Sequence, residues 1–419
     1  MAQKLQAPRG TYDVLPDDAA RREHVEAAAR QILGAAGYRR IETPTFEATE
    51  LFARGVGAST DIVQKEMYTF EDGGGRSVTL RPEGTAPVAR AYVEHGMQKL
   101  PQPVKLWYLS SFFRYERAQA GRYRQFWQVG AEAIGSADPA VDAEAILLLA
   151  ELLESLGVRD VRLRLGSLGT PETRAAYRAE LQAYLRAHEG ELSEEVRGRI
   201  DLNPLRAFDA DHPGTRSVMA GAPLLLDRLT GEDADHFAEV RALLDGADLA
   251  YEVDPTLVRG LDYYARTLFE FTSDALGAQS GVAGGGRYDG LVEQLGGPPT
   301  PGIGWAAGIE RILLATGEER VPPPILDLYV AYAVADRPTR AIGFELTWEA
   351  RRAGLSAQFE LAGRSLKGQL KQAARAGARF VAILGEDGAT LKDMETGEQE
   401  QLEPGRVIPV VLKKGKTLA

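Results

Sequence analysis

Between Trp107 and Gly135 the chain reads WYLSSFFRYERAQAGRYRQFWQVGAEAIG, two strand-like runs joined by a polar loop. Trp107–Phe113 is aromatic and apolar. Phe126–Ile134 alternates with a period of two, so Trp127, Val129, Ala131 and Ala133 share one face and Gln128, Gly130 and Glu132 the other. A strand with small apolar residues beneath and an amide, a glycine and a carboxylate above can floor a polar pocket. Arg114, at the end of the first run, can reach the same side. The connecting loop carries Glu116, Arg117, Gln119, Arg122 and Arg124 with no apolar anchor, which predicts a segment that orders on meeting a polyanion. The same pattern also fits an exposed hairpin with a solvated face, so the neighbouring segments decide.

Those segments alternate between helix and strand. Asp17–Gly34 reads as a helix after Pro16, closed by Gly37, and Tyr38–Glu42 as a strand. Tyr68–Phe70 and Ser77–Arg81 flank Asp72-Gly73-Gly74-Gly75, the turn chemistry of a hairpin. Helices are predicted at Ala86–Met97 and Pro139–Leu156, and strands at Val161–Leu165, Tyr251–Val253 and Leu268–Thr272. Thr170–Leu244 has helical spacing rich in Ala, Glu and Arg and reads as a small inserted domain. After Pro298–Pro301 come a short strand and a helix ending near Gly317. Val321-Pro322-Pro323-Pro324 is the clearest linker. Beyond it Leu328–Ala333, a helix around Phe344–Ala353, Ser356–Phe359, a helix at Ser365–Ala376, Phe380–Leu384 and Val407–Leu412 alternate as an α/β domain with a mostly parallel core. The expected domains are 1–166 and 247–321 as one split core, 167–246 as the insertion and 325–419 as the last.

Composition narrows the chemistry. The 419 residues include no cysteine, which excludes disulfides and thiolate metal sites, and the five histidines show no ligand spacing. MAQKLQAPRGTYDVLP lacks a signal-peptide core, and no run approaches the ~18 apolar residues of a membrane span. A soluble, intracellular (cytoplasmic) protein is expected. Net charge is −11, yet from Pro324 onward 14 cations face 12 acids, so the acidity lies upstream. Local cation clusters, not the total, govern phosphate binding.

Four further stretches could carry chemistry. Arg81-Pro82-Glu83-Gly84-Thr85 puts a carboxylate and a hydroxyl on a strand-to-helix turn, suited either to an ammonium group or to the helix's own N-terminal dipole. Leu257-Val258-Arg259-Gly260-Leu261-Asp262-Tyr263-Tyr264 combines an arginine able to grip a phosphate bidentately with two tyrosine hydroxyls; a salt-bridged turn is the alternative. Ser280–Gly290 is glycine-rich enough for close backbone approach to a ligand, but no Gly-Lys-Ser/Thr makes it a P-loop. Gly302-Ile303-Gly304-Trp305-Ala306-Ala307 matches a dinucleotide fingerprint without the βαβ context, which rules against a dehydrogenase. Arg311, on a different helix face from Ile309, Ile312 and Leu313, could stack on a flat ligand.

Taken in order, these segments resemble the class II aminoacyl-tRNA synthetases and, among them, the histidyl family, from about Arg9 to the C-terminus. Ile41-Glu42-Thr43-Pro44 is similar to motif 1, Phe113–Arg117 through Glu132 to motif 2, and Gly302–Arg311 to motif 3. Leu257–Tyr264 and Gly284–Asp289 resemble the histidine-specific segments, and Arg199–Arg206 resembles part of the family's insertion. Trp127 departs from the smaller ring often found there. The last domain matches mainly at Arg364–Lys367 and Gly377-Ala378, so anticodon contacts are not assigned by residue. The resemblance implies an α+β fold: an antiparallel-sheet catalytic domain with a helical insertion, plus an α/β anticodon-binding domain. It implies ATP with Mg2+, L-histidine and tRNA as ligands, and a homodimer. Arg114 and Arg259 would be the catalytic pair, flanking the α-phosphate; Glu116 would also bind ATP, Arg311 would stack on adenine, and Arg259 would also contact histidine. Glu83 and Gln128 would hold the α-ammonium, Thr85 of the same turn would belong to the histidine site, and Glu132 and Tyr264, supported by Tyr263, would bond the imidazole. Arg117, Gln119 and Arg124 would meet the tRNA acceptor end. A rival family, the synthetase-like regulatory subunits of histidine biosynthesis, typically lacks the C-terminal domain and much of the Arg259–Tyr264 segment; both are present here.

Overall fold

The computed structural model describes residues 5–57, 60–116, 121–277, 280–317 and 326–416. The chain divides into two compact units, residues 1–319 and 320–419. The first begins with α1 (Pro16–Ala35), β1 (Arg39–Arg40), β2 (Phe46–Ala48), α2 (Thr49–Gly55), β3 (Tyr68–Glu71), β4 (Ser77–Leu80) and α3 (Thr85–Glu94). It continues through β5 (Val104–Phe113), β6 (Gln125–Ile134), α4 (Pro139–Ser155) and β7 (Val161–Ser167). A helical stretch follows, α5 (Pro171–Ala187), α6 (Glu194–Arg197), α7 (Pro213–Met219) and α8 (Glu232–Gly246). It closes with β8 (Glu252–Val253), β9 (Ala265–Ser273), β10 (Gly281–Arg287), α9 (Leu291–Gln294), β11 (Gly302–Gly308) and α10 (Ile309–Thr316).

Eight strands form one sheet in the order β1-β5-β6-β11-β10-β9-β7-β8. It is antiparallel except at its edges, where β1 joins β5 and β8 joins β7 in parallel. The β5–β6 hairpin runs in register from Val104 opposite Ile134 to Phe113 opposite Gln125. The run Gly302–Ala307 lies in β11, between β6 and β10, where no βαβ unit exists. A smaller sheet, β2-β4-β3, holds the predicted Asp72–Gly75 hairpin.

Two cores cover opposite faces of the large sheet. On one, Ala131 and Ala133 meet Ile146 and Leu149 of α4, Leu33 of α1 and Ile312 of α10. Phe237, Val240 and Leu244 of α8 also pack there, so the helix that ends the inserted stretch belongs to this core by packing. On the other face Tyr108, Tyr264, Leu268 and Tyr288 join Val88 and Tyr92 of α3. Tyr177, Leu181 and Leu185, one stripe of α5, extend that second core into the inserted helices.

The second unit contains β12 (Leu326–Tyr332), α11 (Arg337–Arg352), β13 (Ala357–Phe359), α12 (Leu366–Arg375), β14 (Ala378–Gly385), β15 (Gly388–Asp393), β16 (Gln399–Leu402) and α13 (Val407–Lys416). Its sheet order is β13-β12-β14-β15-β16, with a parallel centre and an antiparallel hairpin at one edge. Val407–Leu412 falls in a helix, whose Val407 and Val411 are buried at i,i+4 spacing.

Candidate active site

The polar face of the hairpin opens onto a cavity of about 690 Å3. Arg114 enters from the end of β5, Gln128 from β6, Arg311 from α10, and Arg259 from the segment before β9; all four line this one space. Arg114 is fixed from behind, where its Nε donates to the Pro82 carbonyl at 2.8 Å. Arg259 donates through Nη1 to Glu270 Oε1 at 2.6 Å. It lies flat on the sheet because position 284 is glycine: a Cβ there would sit 2.9 Å from the Arg259 Cζ. The glycine run thus makes room for a side chain as well as for a ligand, since Ser280–Gly284 also line the cavity. Glu116 lines the wall 3.7 Å from the Arg114 Nη1. Burial lowers the pKa of Arg311, and Arg122 beside it adds to the effect. The Gln128 Oε1 is buried with no hydrogen-bond partner among the described residues, an acceptor available to an N–H donor.

Farther along the same face of β6 the sheet is covered over. Glu132 is fully buried and does not line the cavity. The Thr85 hydroxyl donates to its Oε1 at 2.8 Å, and the Tyr288 hydroxyl to its Oε2 at 2.7 Å. The Tyr108 hydroxyl lies 3.4 Å from Oε1. Glu83 is also buried, 3.4 Å from the Tyr263 hydroxyl, and Tyr263 and Tyr264 pack edge to face at 4.7 Å. Burial pushes the Glu132 carboxyl up to about 8, against the hydroxyl bonds that favour its charged form, with Glu83 adding to the rise. Burial also raises Glu83, while its two backbone N–H bonds pull it down. The expectation that Gln128 and Glu132 jointly form the open floor therefore needs correcting: Gln128 reaches the cavity, whereas Glu132, farther along the same face of β6, is covered and bonded to hydroxyls.

Glu83 also departs from a pure ammonium-binding role. Its Oε2 accepts the Thr85 N–H at 2.8 Å and its Oε1 the Ala86 N–H at 3.0 Å, so it caps α3. Arg124 stands apart from the cavity wall, its guanidinium 3.9 Å from the Tyr115 ring centre and its Nη1 3.4 Å from the Arg9 carbonyl. Arg117 and Gln119 lie outside the described residues.

Tyr108 and Glu270 complete this arrangement without having been singled out from the sequence; Arg122 enters the sequence reading only as a loop cation and Tyr288 only within the Gly284–Asp289 segment. A signal for Tyr108 existed, because glycine inside a strand marks close approach. A Cβ at Gly84 or Gly130 would lie 2.4 Å from the Tyr108 Cζ.

A family model for histidyl-tRNA synthetase matches residues 10–312, and one for an anticodon binding domain matches residues 336–414. The histidine–tRNA ligase of Halothermothrix orenii is 46% identical over 98% of this chain and 99% of its own length. That of Halorhodospira halophila is 50% identical over 96% of each. The crystal structure of apo S. aureus histidyl-tRNA synthetase superposes with a TM-score of 0.82 at 36% identity, covering 97% of this chain and all of that one. The chain belongs to the histidyl-tRNA synthetase family.

Proposed function

We propose that the chain is a histidine–tRNA ligase, activating L-histidine with ATP to histidyl-adenylate and transferring histidine to the 3′ end of its tRNA. The observation that carries this reading beyond the family is the convergence of Arg114, Arg259 and Gln128 on one cavity. The substrate carboxylate attacks the α-phosphorus, a new O–P bond forms and pyrophosphate leaves. Such a site acts by holding the reactants and by stabilising charge on the phosphoryl oxygens. Arg114 and Arg259 flank the α-phosphate, Arg311 stacks on adenine, and Glu116 orients Arg114. Gln128, with Thr85 and the Glu83 turn behind it, receives the α-ammonium. Glu132 and Tyr264, supported by Tyr263, are assigned to the imidazole, and because Glu132 is buried, histidine recognition then requires the covering side chains to move. Arg117, Gln119 and Arg124 are assigned to the acceptor end of tRNA, and the second unit to the anticodon.

Among the described residues no group of three His, Asp or Glu side chains converges to hold a metal ion. Mg2+ retains water and binds through phosphates with one or two carboxylates, so this wall fits an ion that arrives with ATP. Glu66, Glu116, Asp209, Glu270 and Glu310 are the carboxylates on that wall. A homodimer built on Ile41–Pro44 is supported by Phe46 and Phe70, 54% and 46% exposed on the small sheet; sedimentation as a 45.5 kDa monomer would refute it. No described helix is long and apolar enough to cross a membrane, which accords with work in the cytoplasm.

The test is exchange of labelled pyrophosphate into ATP by the purified chain. Exchange that requires histidine, followed by charging of tRNA, is expected; exchange with no amino-acid preference refutes the reading. Arg259→Ala should lower histidine-dependent exchange by at least about 100-fold while the chain stays folded, and near-normal exchange would refute its role.

A further inference from the structure

The inserted stretch contributes to the cavity wall at Arg206 and Asp209, the lining residues it supplies among those described. Both lie on a 3-10 helix, Pro204–Asp209, where residues three apart eclipse. Pro204 and Ala207 share the buried face, which leaves Arg206 and Asp209 together on the face turned to the cavity. The segment is docked on the core at two points. Arg199 donates through Nη2 to Asp61 Oδ1 at 2.9 Å, and the Asn203 Nδ2 donates to Asp262 Oδ1 at 3.2 Å. Asp262 lies two residues beyond Gly260, and a Cβ at Gly260 would stand 3.7 Å from the Arg206 Nη1. The Arg206 guanidinium therefore sits over the backbone beside Arg259.

Its present partners hold it loosely. Asp209 lies 3.5 Å and Asp61 4.0 Å away, longer than the ~2.7–2.9 Å of a charge-assisted hydrogen bond. Arg259, by contrast, is held by Glu270 at 2.6 Å. A guanidinium with five N–H donors and only distant carboxylates is suited to a bidentate oxyanion.

We propose that Arg206 is a further substrate-binding residue, through which the inserted domain delivers a guanidinium to the phosphates of ATP during activation. Phosphate oxygens then replace Asp209 and Asp61 as its partners, and the position of the inserted helices becomes coupled to the activation step. The inference rests on the cavity being the activation site.

Pyrophosphate exchange by the full chain tests it, with separate KM values for ATP and histidine. Arg206→Ala should raise the ATP KM by about 10-fold or more and leave the histidine KM within about twofold, at an unchanged thermal midpoint. Inhibition by inorganic pyrophosphate should weaken in parallel, and Arg206→Lys, keeping charge without the fork, should recover part of the loss. Equal rises in both KM values would assign Arg206 to holding the fold and overturn the proposal. So would unchanged exchange with slowed transfer from preformed adenylate, which would place Arg206 on a tRNA phosphate. If the unaltered chain shows no histidine-dependent exchange, the reading of the cavity fails first, and this proposal with it.

Discussion

Glu132 and Asp142 are both fully buried, on opposite faces of the same sheet, and their surroundings differ in one respect. Asp142, on α4, faces the guanidinium of Arg287, itself fully buried, which reaches both carboxylate oxygens through Nε and Nη2. The Thr267 hydroxyl adds a bond at 2.5 Å. Burial pushes the Asp142 carboxyl up while Arg287 pulls it back, and Asp142 in turn raises Arg287, which stays charged. His236 lies 3.5 Å away and is lowered to about 4 by burial first and then by Arg287, so it remains neutral at pH 7. Glu132 meets hydroxyls and a second acid, Glu83. The paired acid is complete without a ligand; Glu132 has no cation among the partners described, and the proposed imidazole contact would supply one. Burial alone therefore does not mark a functional carboxylate; the proposal for Glu132 rests on its lack of a built-in cation.

Substitutions on the two faces should separate along this line. Asp142→Ala strands a buried guanidinium and should cost about 3–5 kcal/mol of stability, read from urea unfolding. Glu132→Gln at the same depth should stay within about 1 kcal/mol, and comparable losses would erase the distinction. In kinetics the order reverses. Glu132→Gln should lower kcat/KM for histidine by roughly 10–100-fold, the worth of a hydrogen bond to a charged group, with the ATP KM little changed. Equal losses for both substrates would argue against an imidazole contact.

The pH dependence carries a sign. A carboxyl raised to about 8 in the folded chain keeps its proton while the unfolded chain loses its own near the ordinary glutamate value. The folded state then binds more protons, so the contribution of Glu132 to stability declines as pH rises from about 4.5 to about 8. The slope is at most about 1.4 kcal/mol per pH unit. Subtracting the Glu132→Gln profile from that of the unaltered chain should isolate the slope; a flat difference would contradict it. The smallest expected effect belongs to Tyr288→Phe, which removes the 2.7 Å donor to Glu132 Oε2. A loss of about 1 kcal/mol predicts roughly a fivefold weaker histidine KM, and no change would remove Tyr288 from the site.

Much of this face was legible in the sequence because it depends on local pattern. The period of two in Phe126–Ile134 identified both the strand and the side on which Gln128 lies. Arg114, Arg259 and Arg311 follow from segment identity, although their meeting depends on strands far apart in the chain. Register across β6, β11 and β10 brings Tyr288 to Glu132, and no window of sequence contains that relation. For Glu83 the sequence offered two alternatives, an ammonium partner or the helix N-terminus, and its oxygens accept the first N–H groups of α3. In the second unit the β15–β16 hairpin escaped notice because Gln399–Leu402 is polar and largely exposed, lacking alternation to read. The short apolar run Val407–Leu412 fits strand or helix equally by composition, and packing of Val407 and Val411 decides for helix.

The most direct measurement is a carbon-detected NMR titration of the Glu132 carboxyl, assigned by comparison with Glu132→Gln. A midpoint near 8 is expected in the empty protein, falling when histidine is added and its imidazole supplies the absent partner. A midpoint close to 4.3, the value of an ordinary glutamate, or one that histidine leaves unmoved, would contradict a buried carboxyl whose counter-charge the substrate supplies.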